Sequence, residues 1–139
     1  MYGSFFIFFF RLILPMVRSY VKGASAEREL VHILARLGYM AIRAPRSGRI
    51  GLDSPDIVAA KDGRLLVIEC KSRMSAFTIP MEQLAQLESW TVKAKAIAYV
   101  GCKIHRKGWK FLKYEDVLAN SGRIGKKFIA EKGIPIEAI

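Results

Sequence analysis

Ser54-Pro55-Asp56-Ile57-Val58-Ala59-Ala60-Lys61-Asp62-Gly63-Arg64-Leu65-Leu66-Val67-Ile68-Glu69-Cys70-Lys71 is the stretch that decides how this chain folds. Asp62-Gly63 is a two-residue hairpin loop between two runs with strand character. Such a loop pairs Lys61 with Arg64, and counting back along both strands sets Asp56 directly opposite Glu69. Opposed residues on adjacent antiparallel strands have Cβ atoms roughly 5 Å apart. Two carboxylates that close repel, so one holds a proton or a cation sits between them. Lys71 lies two residues beyond Glu69 and projects from the same face of its strand. Two carboxylates and an ammonium around one point suit metal-assisted phosphodiester hydrolysis. Cys70, between them, points to the other face and reads as a core filler. Ile57, Val58, Leu66, Val67 and Ile68 are apolar on both faces, which places the hairpin centrally in a sheet.

Upstream, Ser25 is a candidate N-cap for a helix with Glu27 and Glu29 in its first turn and Gly38 as its stop. Leu30, Val31, Leu34 and Leu37 form the apolar stripe. Glu27 falls on that stripe's own face, either as a dipole partner at the water line or as a third inward carboxylate. Tyr39 to Ala44 reads as a strand, and Pro45-Arg46-Ser47-Gly48-Arg49 as a basic loop suited to phosphate contact. Downstream, Pro80 to about Lys93 predicts a helix with Leu84, Leu87 and Trp90 facing inward. Strands follow at Ala96 to Ile104 and Trp109 to Tyr114, then a helical turn over Glu115 to Ala119. The last 20 residues carry no clear pattern. The expected fold class is α/β, an α+β mixed sheet flanked by helices.

Composition narrows the partners. The chain has 139 residues, enough for one domain with a modest core, and its 52% apolar content excludes general disorder. Lys and Arg number 23 against 12 Asp and Glu, a net charge of +11 that attracts polyanions, so nucleic acid leads. Cys70 and Cys102 form neither a disulfide framework nor a metal-spacing pattern, which fits a reducing compartment and a cytoplasmic, DNA-associated protein. Residues 1–15 include the apolar run FFIFFFRLIL, which falls short of the ~20 residues needed to span a bilayer and lacks signal-peptide flanks. The chain therefore divides into an apolar extension at 1–15, with Met16 as a candidate true start, and a single domain at 16–139. A membrane-attached protein that uses this leader is the competing reading.

The ordered motifs Lys22-Gly23, Ser25-Ala26-Glu27-Arg28-Glu29-Leu30, Arg46-Ser47-Gly48, Pro55-Asp56-Ile57-Val58-Ala59 and Glu69-Cys70-Lys71 carry a resemblance. With the Lys103 to Gly108-Trp109 hairpin, they resemble the archaeal-type Holliday junction resolvases of the PD-(D/E)xK nuclease superfamily, over roughly residues 18 to 115. The resemblance implies a restriction-endonuclease-like fold and paired, metal-dependent nicks in four-way DNA junctions. It makes Asp56 and Glu69 ligands of a divalent cation, Mg²⁺ with Mn²⁺ able to substitute, and adds Glu27 to the acidic cluster. Lys71 orients the attacking water or stabilises the transition state, Ser47 assists from its loop, and Arg28 engages substrate phosphate. Arg46, Arg49, Arg73, Lys103, Arg106 and Lys107, with Arg43 and Lys110, fit a surface that grips duplex without reading sequence. Two symmetric incisions imply a C2 homodimer. No small-molecule cofactor and no membrane partner are expected. Gln83 is a candidate to stand behind the metal's ligands without touching the ion, and His32 and His105 lack ligand spacing. Trp90, Trp109 and Phe111 read as core or dimer contacts. The alternatives are a restriction- or repair-type nuclease of the same superfamily, or a basic DNA-binding module without chemistry.

Overall fold

Asp62 and Gly63 both adopt positive φ, 50° and 75°, so the loop is of the kind that matches the twist of the strands it joins. The computed structural model describes residues 23–44, 51–73 and 75–139. Around that turn, β2 (Ile57–Lys61) and β3 (Arg64–Lys71) pair antiparallel in the expected register, Lys61 with Arg64 and Ile57 with Ile68. The first helix, α1 (residues 23–36), precedes β1 (Met40–Arg43), and Gly38 at φ +92° turns the chain between them. Ser25 is not its N-cap. The helix is already under way at residue 23, because Ala24 and Ala26 are themselves buried and carry the apolar face past the serine.

After β3 the chain makes a two-residue strand β4 (Phe77–Thr78), then α2 (Met81–Ala94), then β5 (Ile97–Ile104) and β6 (Gly108–Lys113). The main sheet has the order β1-β2-β3-β5-β6, with β3 at its centre. β3 and β5 run parallel, as a helical crossover requires, and the other pairs are antiparallel. The result is a mixed α/β fold whose mostly antiparallel sheet is flanked by helices.

Alternation along the strands builds two cores. On one face Ile57, Ala59, Leu66, Ile68, Tyr99 and Phe111 meet Ala26, Leu30 and Leu34 of α1. On the other, Val67, Ala98, Val100, Cys102 and Leu112 meet Leu84 and Leu87 of α2. Trp109 and Phe111 are core residues as expected, stacked with ring centroids 6.2 Å apart. Trp90 packs at the margin of the second core and donates its indole N–H to the carbonyl of Asp53 at 3.0 Å. Gly101 makes room for the aromatic pair. A Cβ there would meet Ile68 at 3.1 Å, Phe111 at 3.2 Å and Trp109 at 3.4 Å. Gly101→Ala should therefore cost about 1–3 kcal/mol in urea unfolding, and no loss would mean that the stack yields freely.

The C-terminal stretch is more structured than its sequence suggests. After α3 (Tyr114–Ala119), the helical turn expected there, it forms β7 (Arg123–Ile124), α4 (Lys126–Lys132) and a 3-10 turn (Ile136–Ala138). β7 pairs with β4, while Ile134 and Phe111 exchange backbone hydrogen bonds at 2.9 Å. Among the described residues, no helix is long and apolar enough to cross a membrane. The apolar leader and the division at residue 15 lie outside the described residues.

Candidate active site

The site forms at the ends of β2 and β3 remote from their turn. Asp56 immediately precedes β2, and its Oδ2 accepts the backbone N–H of Cys70 at 2.7 Å, which fastens it across the ladder. Its carboxyl lies near enough to that of Glu69 for each to bear directly on the other's proton affinity. The Lys71 ammonium is 3.3 Å from Glu69 Oε1, with the two side chains only 17% and 15% exposed. Strand alternation puts Glu69 and Lys71 on the α2 side of the sheet, and Lys71 Nζ donates to Gln83 Oε1 on α2 at 2.9 Å.

Burial governs the electrostatics. Removal from water is the main cause that raises the Glu69 carboxyl to about 7, reinforced by the neighbouring charge of Asp56 and opposed by Lys71. Asp56 is also raised, again chiefly by burial and then by the charge of Glu27, while the Cys70 amide and Lys71 pull it down. Cys70 packs against the α1-side core, away from the Glu69 face as expected, and burial pushes its thiol well above the ordinary value. It stays neutral and is no nucleophile.

Glu27 is held from the next strand. Arg43 Nε holds its Oε2 at 2.5 Å, so it acts on Asp56 through its field while paired to a cation from β1. Among the described residues, no group of three or more His, Cys, Asp or Glu side chains gathers as a metal cluster. The acidic centre is the pair Asp56 and Glu69. Two adjacent hard-oxygen donors, both raised by burial and crowding, are chemically suited to a divalent cation.

Residues 18–139 match the sequence profile of the archaeal Holliday junction resolvase (hjc) family. The chain belongs to that family. It is 36% identical over 99 residues to the crossover junction endodeoxyribonuclease Hjc of Sulfolobus acidocaldarius, spanning 69% of this chain and 68% of the relative. Over 123 residues it is 32% identical to the Hjc of Sulfurisphaera tokodaii, spanning 84% and 83%. Its fold superposes on the structure of Archaeoglobus fulgidus Hjc, a Holliday junction resolvase from an archaeal hyperthermophile, with a TM-score of 0.73 and 30% identity. That match covers 81% of this chain and 93% of the other, and brings with it the restriction-endonuclease-like fold.

The remaining expected residues of this resolvase-family chain are dispersed. Arg28 on α1, Arg73 just past β3, and Arg106 and Lys107 in the β5–β6 turn are all exposed. Lys103 pairs with Glu29, which ties β5 to α1. Ser47, Arg46 and Arg49 lie outside the described residues. Sequence reasoning did not find the Glu27–Arg43 pair, and it placed Gln83 behind the metal's ligands without finding its contact to Lys71. Both contacts cross from one element to another rather than running along a single helix or strand, so no periodicity signals them.

Proposed function

We propose that this chain is a structure-selective endodeoxyribonuclease that resolves four-way DNA junctions by paired, metal-dependent nicks. The observation that carries the reading is the crowded pair Asp56 and Glu69 with Lys71 at 3.3 Å, on a chain of the resolvase family. Asp56 and Glu69 would hold the cation, with Glu27 as the third acidic group if it exchanges Arg43 for the metal. A divalent cation, Mg²⁺ or Mn²⁺ in its place, supplies Lewis-acid polarisation of the phosphodiester and an acidified water when bound. Lys71 contributes a fixed positive charge in a poorly hydrated setting, where it steadies negative charge as it gathers on the phosphate. Ser47 is assigned an assisting role in catalysis on the family resemblance.

Arg28, Arg46, Arg49, Arg73, Lys103, Arg106 and Lys107 grip phosphates and position the substrate, leaving selectivity to the geometry of the branch. One site cuts one strand, so two symmetric cuts require a C2 homodimer. The net charge of +11 and the resolvase family support a cytoplasmic, DNA-associated protein. The test compares a synthetic four-way junction with a linear duplex of the same sequence, both in Mg²⁺. Paired nicks confined to the junction are expected. Efficient cutting of plain duplex at a fixed sequence would reassign the chain to a restriction-type activity. Junction binding without nicking in either metal would make it a binding module.

A further inference from the structure

We propose that Gln83 is a positioning residue that aims Lys71 at the scissile phosphate, an inference that rests on the nuclease reading above. The Lys71 ammonium sits on four rotatable carbons, and holding it in one place costs side-chain entropy that something must offset. Its anchors come from two elements: Glu69 Oε1 on its own strand at 3.3 Å and Gln83 Oε1 on α2 at 2.9 Å. The shorter contact is to the neutral amide. An ammonium has three donors, so two fixed acceptors leave the third direction defined.

Gln83 is itself well placed to serve as a fixed point. It lies in the first turn of α2, where its backbone N–H bonds the carbonyl of Pro80 at 3.0 Å. The next residue, Leu84, is fully buried against the sheet, and Leu87 follows one turn later. A half-buried glutamine on this rigid stretch holds its amide over the end of β3. Its neutrality matters. A carboxylate here would be one more negative charge beside two acids already crowded, whereas an amide oxygen accepts from Lys71 without adding to the repulsion. When Glu69 turns its oxygens to a cation, Gln83 remains to keep the ammonium from swinging away. The role assigned to Gln83 runs through Lys71, the side chain it contacts.

The test is Gln83→Met, which keeps the length of the side chain and removes the acceptor. On a four-way junction in Mg²⁺, kcat should fall by about ten- to a hundredfold. The Kd for the junction and the melting temperature should stay within error of wild type, because neither phosphate grip nor packing is touched. A second measurement needs no activity. In protein labelled with ¹⁵N-lysine, Lys71 should give a slowly exchanging ammonium signal, identified by its disappearance in Lys71→Arg and lost or exchange-broadened in Gln83→Met. Retention of wild-type kcat overturns the proposal, as does a parallel fall in kcat, affinity and melting temperature. It also fails if wild type lacks the ammonium signal or if Gln83→Met keeps it. A wild-type protein that cuts no junction sinks the nuclease reading instead, and the ammonium signal then decides the Gln83 contact alone.

Discussion

Asp56→Asn should abolish nicking, lowering the single-turnover rate by about a thousandfold or more, since one of two carboxylates that would hold the cation is gone. The substitution is chosen to spare the fold. An asparagine oxygen still accepts the Cys70 N–H that Asp56 now receives at 2.7 Å, so the end of the hairpin stays closed. It also removes a buried negative charge beside Glu69, so the variant should melt no lower than wild type. Junction affinity in a gel-shift assay should remain within a few-fold, because the phosphate contacts are assigned to Arg28, Arg73, Arg106 and Lys107 at the surface. Cleavage that survives to within tenfold would place the chemistry elsewhere. Loss of binding together with cleavage, at unchanged melting temperature, would make Asp56 a docking residue.

In metal-free buffer the protein should lose stability as pH rises from about 5 to about 7. The folded Glu69 carboxyl is raised to about 7 from an ordinary value of 4.5, so between those values the native chain holds a proton that the unfolded chain releases. The unfolded state binds fewer protons, and stability falls with pH across that window and levels off above it. Asp56 is raised as well and adds a slope of the same sign. The whole effect is on the order of 3 kcal/mol at most, or roughly 5–10 °C in melting temperature for a chain of this size. Glu69→Gln removes the titrating group and should flatten the curve and raise stability at pH 8. Mg²⁺ added to wild type at pH 8 should recover stability by mass action, and should do little for Glu69→Gln. Thermal melts with and without chelator across pH 5 to 8 decide the matter. A midpoint that climbs with pH would mean that the two acids are not crowded in the native state.

The hairpin was legible because its information is local. Asp62-Gly63 specifies the turn, the apolar run from Leu65 to Ile68 specifies burial on both faces, and register then delivers Asp56 to Glu69. The two helices and the strands after α2 were legible from periodicity for the same reason. What stayed hidden depends on how separate elements pack, which periodicity does not carry. Gln83 reads as a polar residue on an amphipathic helix until the parallel pairing of β3 with β5 sets α2 over the end of β3. Glu27 reads as a free inward acid until β1 brings Arg43 to it. Ser25 looks like a cap because serine is a good one, but the small buried residues Ala24 and Ala26 let the helix begin earlier. The C-terminal strand β7 is two residues long and owes its existence to β4, not to its own sequence.

The two-residue loop at Asp62-Gly63 lies at the opposite end of the strands from the acids it aligns. Strand side chains alternate, so an added or deleted residue in that loop that slips the pairing by one would set Cys70 or Ile68 opposite Asp56 in place of Glu69 and turn Lys71 out of phase with it. No reacting group would have changed identity. Descendants of such an indel would keep a sound fold and a basic, DNA-binding exterior while losing their chemistry, a route by which a cutting enzyme can decay into a silent clamp through a change at its far end.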